Sequence, residues 1–215
     1  SFPGQFKNWF YSLIAMSTVL KNTNPFKTVL GFATLLDENG QEMHKSKGNA
    51  IVFNEAADKI GVDVMRWMYT TQNPAANLLF GYHKANEVRR RFYLILWNCY
   101  KFFIDYANLS SWSPDKSPKD IDTKQGILDL WIRTRLNQIA MEVNSSLEKY
   151  NVSQAARSIE DFIVNDLSTW YIRRSRERVG PTAQENDQNI FLSTIFDVLH
   201  ILSKLIAPFM PFITE

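Results

Sequence analysis

The chain has 215 residues, 45% of them apolar and 13% aromatic. That is enough to bury one sizeable core or two modest ones, and too hydrophobic for a disordered polymer. With 24 basic and 22 acidic residues the formal charge is +2, so any case for a polyanionic partner must rest on local clusters. A lone Cys99 excludes an internal disulfide. Three scattered histidines leave no paired-cysteine zinc site, so no bound metal is expected in these residues, and a reducing cytoplasm is. No apolar run reaches the roughly 18 to 20 residues of a membrane span, and Ser1 to Asn8 lack the regions of a signal peptide. A start without methionine and an end on Pro-Phe-Ile-Thr-Glu suggest a piece of something longer.

In chain order, Phe6, Trp9, Phe10, Leu13, Ile14 and Leu20 predict a helix over 6–20, closed by Asn22 to Pro25. A β-rich stretch follows from Thr28 to Leu36. Asp37-Glu38-Asn39-Gly40 has the composition of a tight hairpin turn, and Gln41 to Asn49 reads as an exposed loop. Two short helices are predicted near 54–60 and 62–72. From about residue 84, Val88, Phe92, Ile95, Cys99, Phe103 and Tyr106 draw the stripe of a first long helix, and Ser110 to Lys119 breaks it. Leu128, Ile132, Leu136, Ile139, Val143 and Leu147 stripe a second. A third runs from Ser153 to about Val179, with Trp170 continuing a stripe through Ile159, Phe162 and Ile163. Gly180-Pro181 stops it, and Phe191, Ile195, Val198, Leu202 and Leu205 mark a fourth that ends before Pro208. Four striped helices predict a bundle. The one strand in the first third cannot form a sheet unaided, which suggests the tail of an α/β domain, and no 20–50 residue repeat indicates a solenoid.

Two places could carry chemistry. Met43-His44-Lys45-Ser46-Lys47-Gly48-Asn49 sets two ammonium groups two residues apart beside hydroxyl and amide donors, with a glycine that permits close backbone approach, a composition suited to phosphate. A solvated basic loop accounts for the same residues, and His44 reads as an exposed surface histidine. Trp170-Tyr171-Ile172-Arg173-Arg174-Ser175-Arg176-Glu177-Arg178 combines two rings with four guanidinium groups, as stacking on single-stranded RNA would want. Core packing of Trp170 and arginines that complement the helix dipole explain it equally. Arg89-Arg90-Arg91 opens the first long helix, where positive charge is mildly unfavourable, so RNA contact is a further possibility.

The order of these segments resembles the class I aminoacyl-tRNA synthetases, closest to those of the isoleucyl type. Thr28-Val29-Leu30, the turn at Asp37 to Gly40 and the loop Met43 to Asn49 resemble the strand, hairpin and Lys-Met-Ser-Lys-Ser loop of that class. Gly61-Val62-Asp63-Val64-Met65-Arg66-Trp67 looks like the segment that follows the loop. Leu96-Trp97-Asn98, Leu167 to Arg174 and Leu205 to Glu215 are similar to later helical elements.

The resemblance covers nearly the whole chain. It implies a mainly α fold with a partial α/β part, in which 1–80 are the end of a Rossmann-type catalytic domain with stem-contact helices and 81–215 an antiparallel anticodon-binding helical bundle. It also implies ATP-dependent joining of isoleucine to tRNA(Ile), with Mg2+ accompanying the ATP. In that scheme Lys45 stabilises the phosphates with Ser46 and Lys47 beside it, Gln5 and Trp9 lie near the aminoacyl-adenylate, and Trp170, Arg173, Arg174, Arg176 and Arg178 meet tRNA. Departures from the family pattern are Ser1 for a glutamate, Gly4 for an aspartate, Phe32 for a histidine, Glu42 for the loop's first lysine and His44 for its serine. The family's His-Ile-Gly-His motif and editing domain are not among these residues, so the segment alone is expected to be inactive. Valyl- or leucyl-type relatives, a freestanding RNA-binding helical domain, and a helical scaffold without RNA remain alternative readings.

Overall fold

In the computed structural model, which describes residues 6–118 and 126–215, helix α1 starts with a π-wound turn, Phe6–Phe10, and continues through Tyr11–Lys21. It closes where Asn22 adopts a left-handed conformation and gives its N–H to the carbonyl of Thr18. None of its residues is buried.

The sheet narrows the β-rich stretch expected at 28–36 and supplies the partner that the single expected strand lacked. Only Leu35–Leu36 (β1) is laddered, and it pairs in parallel with Leu78–Leu79 (β2), Leu35 opposite Leu78. β2 is two residues long, too short to show any period, so alternation could not announce it. The ladder continues at its end, where Phe80 N–H donates to the carbonyl of Leu36. Between the strands lie α2 (Phe53–Ile60) and α3 (Val62–Thr71), both near the expected bounds.

β2 leads into α4 (Tyr82–Val88), a π turn at Arg89–Tyr93, and α5 (Leu94–Leu109). The carboxylate of Glu38, in the hairpin turn, crosses to accept the N–H of Lys84 at 2.8 Å. A side chain at Gly81 would collide with Glu38, so glycine there allows the turn to dock on the start of α4.

The bundle adds α6 (Ile127–Glu148) and α7 (Val152–Asp161). The latter runs on through a π segment, Phe162–Ile172, into α8 (Arg173–Ser175) and a 3-10 turn, Arg176–Val179. Then come α9 (Glu185–Ile206) and the short α10 (Pro211–Thr214). α9 is long and apolar enough to cross a bilayer by length and composition, although polar and charged residues interrupt its apolar run. Its Ile190, Phe191, Ile195, Val198 and Leu202 are buried in the bundle.

Two cores result. The larger gathers Phe92, Cys99, Ile132, Leu136, Ile159, Leu167, Tyr171 and Phe191, and burial pushes the Cys99 thiol up to about 11. The smaller holds Ala56, Ile60, Val64, Met65, Met68 and Phe80 under the sheet. α3 belongs to both: Val64 and Met68 face the small core, while Trp67 stacks on Phe92 at 4.1 Å and gives its indole N–H to Glu160. Such a stacked pair adds about 0.5–1.5 kcal/mol beyond burial.

The third long helix departs from its expected phase. A regular stripe from Ile159 and Ile163 would turn Trp170 inward. The i→i+5 winding of Phe162–Ile172 delays the inward phase by one residue. Ile163, Leu167, Tyr171, Ser175 and Val179 are therefore buried, and Trp170 is 44% exposed.

Candidate phosphate loop and RNA face

The loop after β1 is built on one aspartate and one asparagine. Leu36 bridges antiparallel to Glu42, and Asp37 N–H donates to the carbonyl of Gln41 at 2.8 Å, which closes the turn foreseen at Asp37 to Gly40. Oδ1 of Asp37 accepts the N–H groups of Asn39 and Gln41 at 2.9 and 2.8 Å, and Oδ2 accepts Nδ2 of Asn49 at 2.8 Å. The Asn49 hydrogen bond first, then the Gln41 N–H, hold the Asp37 carboxyl below its ordinary range. Nδ2 of Asn49 also donates to the carbonyl of Glu42 at 3.1 Å, and its Oδ1 accepts His44 N–H at 3.0 Å.

One amide group thus ties the turn to both sides of the loop. Above this clamp, Lys45–Lys47 form a single 3-10 turn, and Gly48 ends it at φ 70°, a conformation that favours glycine. Lys45, Ser46 and Lys47 are all exposed. Lys45 makes no side-chain hydrogen bond or ion pair among the described residues.

Glu42 and His44, the two departures at this loop, face each other, with Oε2 of Glu42 3.3 Å from Nε2 of His44. The glutamate's charge is directed at its neighbour. Trp9 stands apart on α1, 62% exposed and stacked on Phe10 at 5.9 Å. Gln5 lies outside the described residues.

On the third long helix, the guanidinium carbon of Arg174 lies 3.9 Å from the ring centroid of Trp170. Trp131 of α6 meets Trp170 at 6.5 Å and 59°. Arg173 and Arg176 are exposed and make no ion pair among the described residues.

Arg178, expected at the tRNA face, is engaged within the protein. Its Nη1 and Nη2 reach the two carboxylate oxygens of the fully buried Asp129 at 2.7 and 3.0 Å, and its Nε reaches Asp187 at 2.9 Å. Burial disfavours that charge, but the bonds from Asp129 and Asp187 outweigh it and hold the guanidinium above its ordinary value. A fork committed this way has four of its five N–H groups engaged within the protein. Arg91 is likewise held, by Glu160 at 2.7 Å.

Sequence reasoning missed Trp131 and the clamping role of Asn49, which it took for an amide donor to a ligand. Asn49 was legible only as a donor at the end of a polar loop, and Trp131 hid beside Ile132 in the second stripe.

Comparison with known proteins supplies the family. Residues 4–79 match the tRNA synthetases class I (I, L, M and V), and residues 129–215 match the anticodon-binding domain of tRNA ligase. An isoleucine–tRNA ligase of Dehalococcoides mccartyi is 41% identical over 212 residues, covering 98% of this chain and 21% of the relative. Those of Clostridium tetani and Thermus thermophilus are 37% and 35% identical over 224 residues, each covering all of this chain and 21% of the relative. The crystal structure of a LeuRS–tRNA–LeuAMS ternary complex from Agrobacterium radiobacter shares the fold. Its TM-score is 0.66 at 18% identity, covering 95% of this chain and 24% of that one. The chain belongs to the class I tRNA synthetases. Within that class its sequence is of the isoleucyl type, and it spans about a fifth of the length of the curated relatives it matches.

Proposed function

We propose that this chain is a segment of an enzyme that activates isoleucine with ATP and transfers it to tRNA(Ile). On this reading residues 1–80 close a Rossmann-type catalytic domain with its stem-contact helices, and residues 81–215 begin an antiparallel anticodon-binding bundle in a cytoplasmic enzyme. Mg2+ travels with the triphosphate as part of the substrate.

The observation that carries the proposal is the clamped turn, which presents an uncommitted Lys45 ammonium to solvent above the Asp37–Asn49 hydrogen bonds. As the amino-acid carboxylate attacks the α-phosphate, negative charge grows on the departing pyrophosphate. A fixed cation that meets this charge lowers the barrier more than one that binds ground and transition states equally. Ser46 and Lys47 stand in the same turn as further donors. The loop has one lysine fewer than the family pattern, and the Glu42–His44 pair keeps the substituted glutamate occupied. Trp9, with Gln5, is proposed to approach the adenylate once the rest of the catalytic domain covers α1. Trp170, Arg173, Arg174 and Arg176 form the proposed tRNA face.

In the full-length ligase, Lys45→Ala is expected to slow isoleucine-dependent ATP–pyrophosphate exchange by about 10²-fold, the scale of one lost transition-state donor. An unchanged exchange rate in a folded variant would remove Lys45 from the reaction.

A further inference from the structure

The loop that carries Lys45 is joined to the rest of the molecule at its turn. Asp37 and Asn49 bind the loop to itself, and Leu36 bridges to Glu42 at its base. Past that bridge, among the described residues, a single hydrogen bond or ion pair ties any residue of 37–49 to an element other than β1. It is the one in which the Glu38 carboxylate accepts the N–H of Lys84 at 2.8 Å, across 46 positions. The contact has the form of a helix cap supplied from outside. Gly81 is the N-cap residue of α4 and has no side chain to offer, so the N–H of Lys84, three residues on, would otherwise lack a partner. Glu38 fills that place, and a carboxylate suits the positive end of a helix. α4 runs on through the turn at Arg89–Tyr93 into α5, so the capped end belongs to a helix that reaches the bundle core.

Gly81 shows that the place is shaped for this contact. Its φ of 173° is extended backbone that any residue adopts, so conformation does not call for glycine. The three atoms nearest to a side chain placed there are Cγ, Cδ and Oε1 of Glu38. What glycine leaves room for is the glutamate. Glu38 itself is exposed and free to swing into water, so breaking the contact should cost the fold little while releasing the turn. We propose that Glu38 is a positioning residue for the phosphate loop, fixing, through the Asp37–Asn49 clamp, where Lys45 stands relative to α4. This role rests on the reading of Lys45 as the cation that meets the departing pyrophosphate. A cation lowers the barrier only as far as it is held where charge develops, so a loop left without its outer anchor loses rate more than substrate affinity.

The test is isoleucine-dependent ATP–pyrophosphate exchange by the full-length ligase, with kcat and KM for ATP read separately, alongside native-state trypsin cleavage after Lys45 and Lys47. Glu38→Ala is expected to speed cleavage at the loop and to lower kcat about tenfold, less than the roughly 10²-fold that a 1 Å misplacement can cost. KM for ATP should change by less than about twofold, as for an interaction made in the transition state. Glu38→Gln keeps the acceptor oxygen and the side-chain length and should recover most of the rate. Gly81→Ala, which pushes the glutamate off Lys84, should reproduce Glu38→Ala, and the two together should be no slower than either alone, because they break one contact. Equal losses with Glu38→Ala and Glu38→Gln would make charge and not the hydrogen bond responsible and overturn the proposal, as would additive losses in the double variant. If Lys45→Ala slows exchange while Glu38→Ala and Gly81→Ala do not, the tether alone falls. If Lys45→Ala is silent, the reading of the loop falls with it.

Discussion

Asn49 makes three hydrogen bonds with one amide group, to Asp37, to the carbonyl of Glu42 and from His44 N–H. Two of these bonds are exposed and the one to Asp37 is half-buried, which makes this a device of position more than of stability, since exposed hydrogen bonds exchange almost evenly with water. Asn49→Ala should therefore leave thermal unfolding nearly unchanged while letting Lys45 sample more arrangements. In pyrophosphate exchange by the full-length ligase, kcat is expected to fall about tenfold with a smaller change in KM for ATP, because misplaced catalytic groups act on the transition state. A loss confined to KM would contradict that role. At this scale the sequence was partly legible. Lys45, Ser46 and Lys47 could be picked out by composition and resemblance, and Glu42 and His44 by departure from the pattern. That Glu42 and His44 face each other, and that Arg178 is drawn into Asp129 from 49 positions away, depends on folding that local spacing does not encode.

Elements were legible where they are long and striped. α2, α3, α5, α6 and α9 fall close to where the apolar periods put them, because burial of a continuous face fixes a helix regardless of its neighbours. The sheet was not legible, since two-residue strands carry no alternation and their pairing is set by backbone contacts. Nor was the π segment, which changes the phase of a stripe without interrupting it. Tyr171 shows what that phase change achieves. Its hydroxyl donates to Asp129 at 2.7 Å, and burial first, then the Asp129 carboxylate, push its pKa well above 10.0. The unfolded chain therefore loses this proton near pH 10 while the folded chain keeps it. The stabilisation is whole below pH 10 and declines as pH climbs towards the folded value, by about 1.4 kcal/mol per unit. Urea unfolding from pH 9 to 11 should show this slope in the parent and lose that part of it in Tyr171→Phe. Equal slopes in the two proteins would show that Tyr171 is not the group responsible.

Across the whole molecule the small core under the sheet and the core of the bundle are joined through α3. Arg66 donates to the carbonyls of Phe209 and Pro208, both at 2.8 Å, and Asp63 accepts the N–H groups of Phe212 and Ile213. α3, the second helix after the loop, thus also holds the chain beyond α9, while Trp67 enters the bundle core. Packing of this kind gives the two proposed sites a fixed relation without merging them, so each should be separable by mutation. The most direct measurement is the effect of Arg173→Ala, Arg174→Ala and Arg176→Ala together on two rates of the full-length ligase. The account predicts that tRNA aminoacylation drops at least about tenfold through a raised KM for tRNA, as lost phosphate contacts would require, with isoleucine-dependent pyrophosphate exchange intact. Aminoacylation at the parent rate, or exchange falling in step with it, would contradict a division of labour between the loop at Lys45 and the face at Trp170.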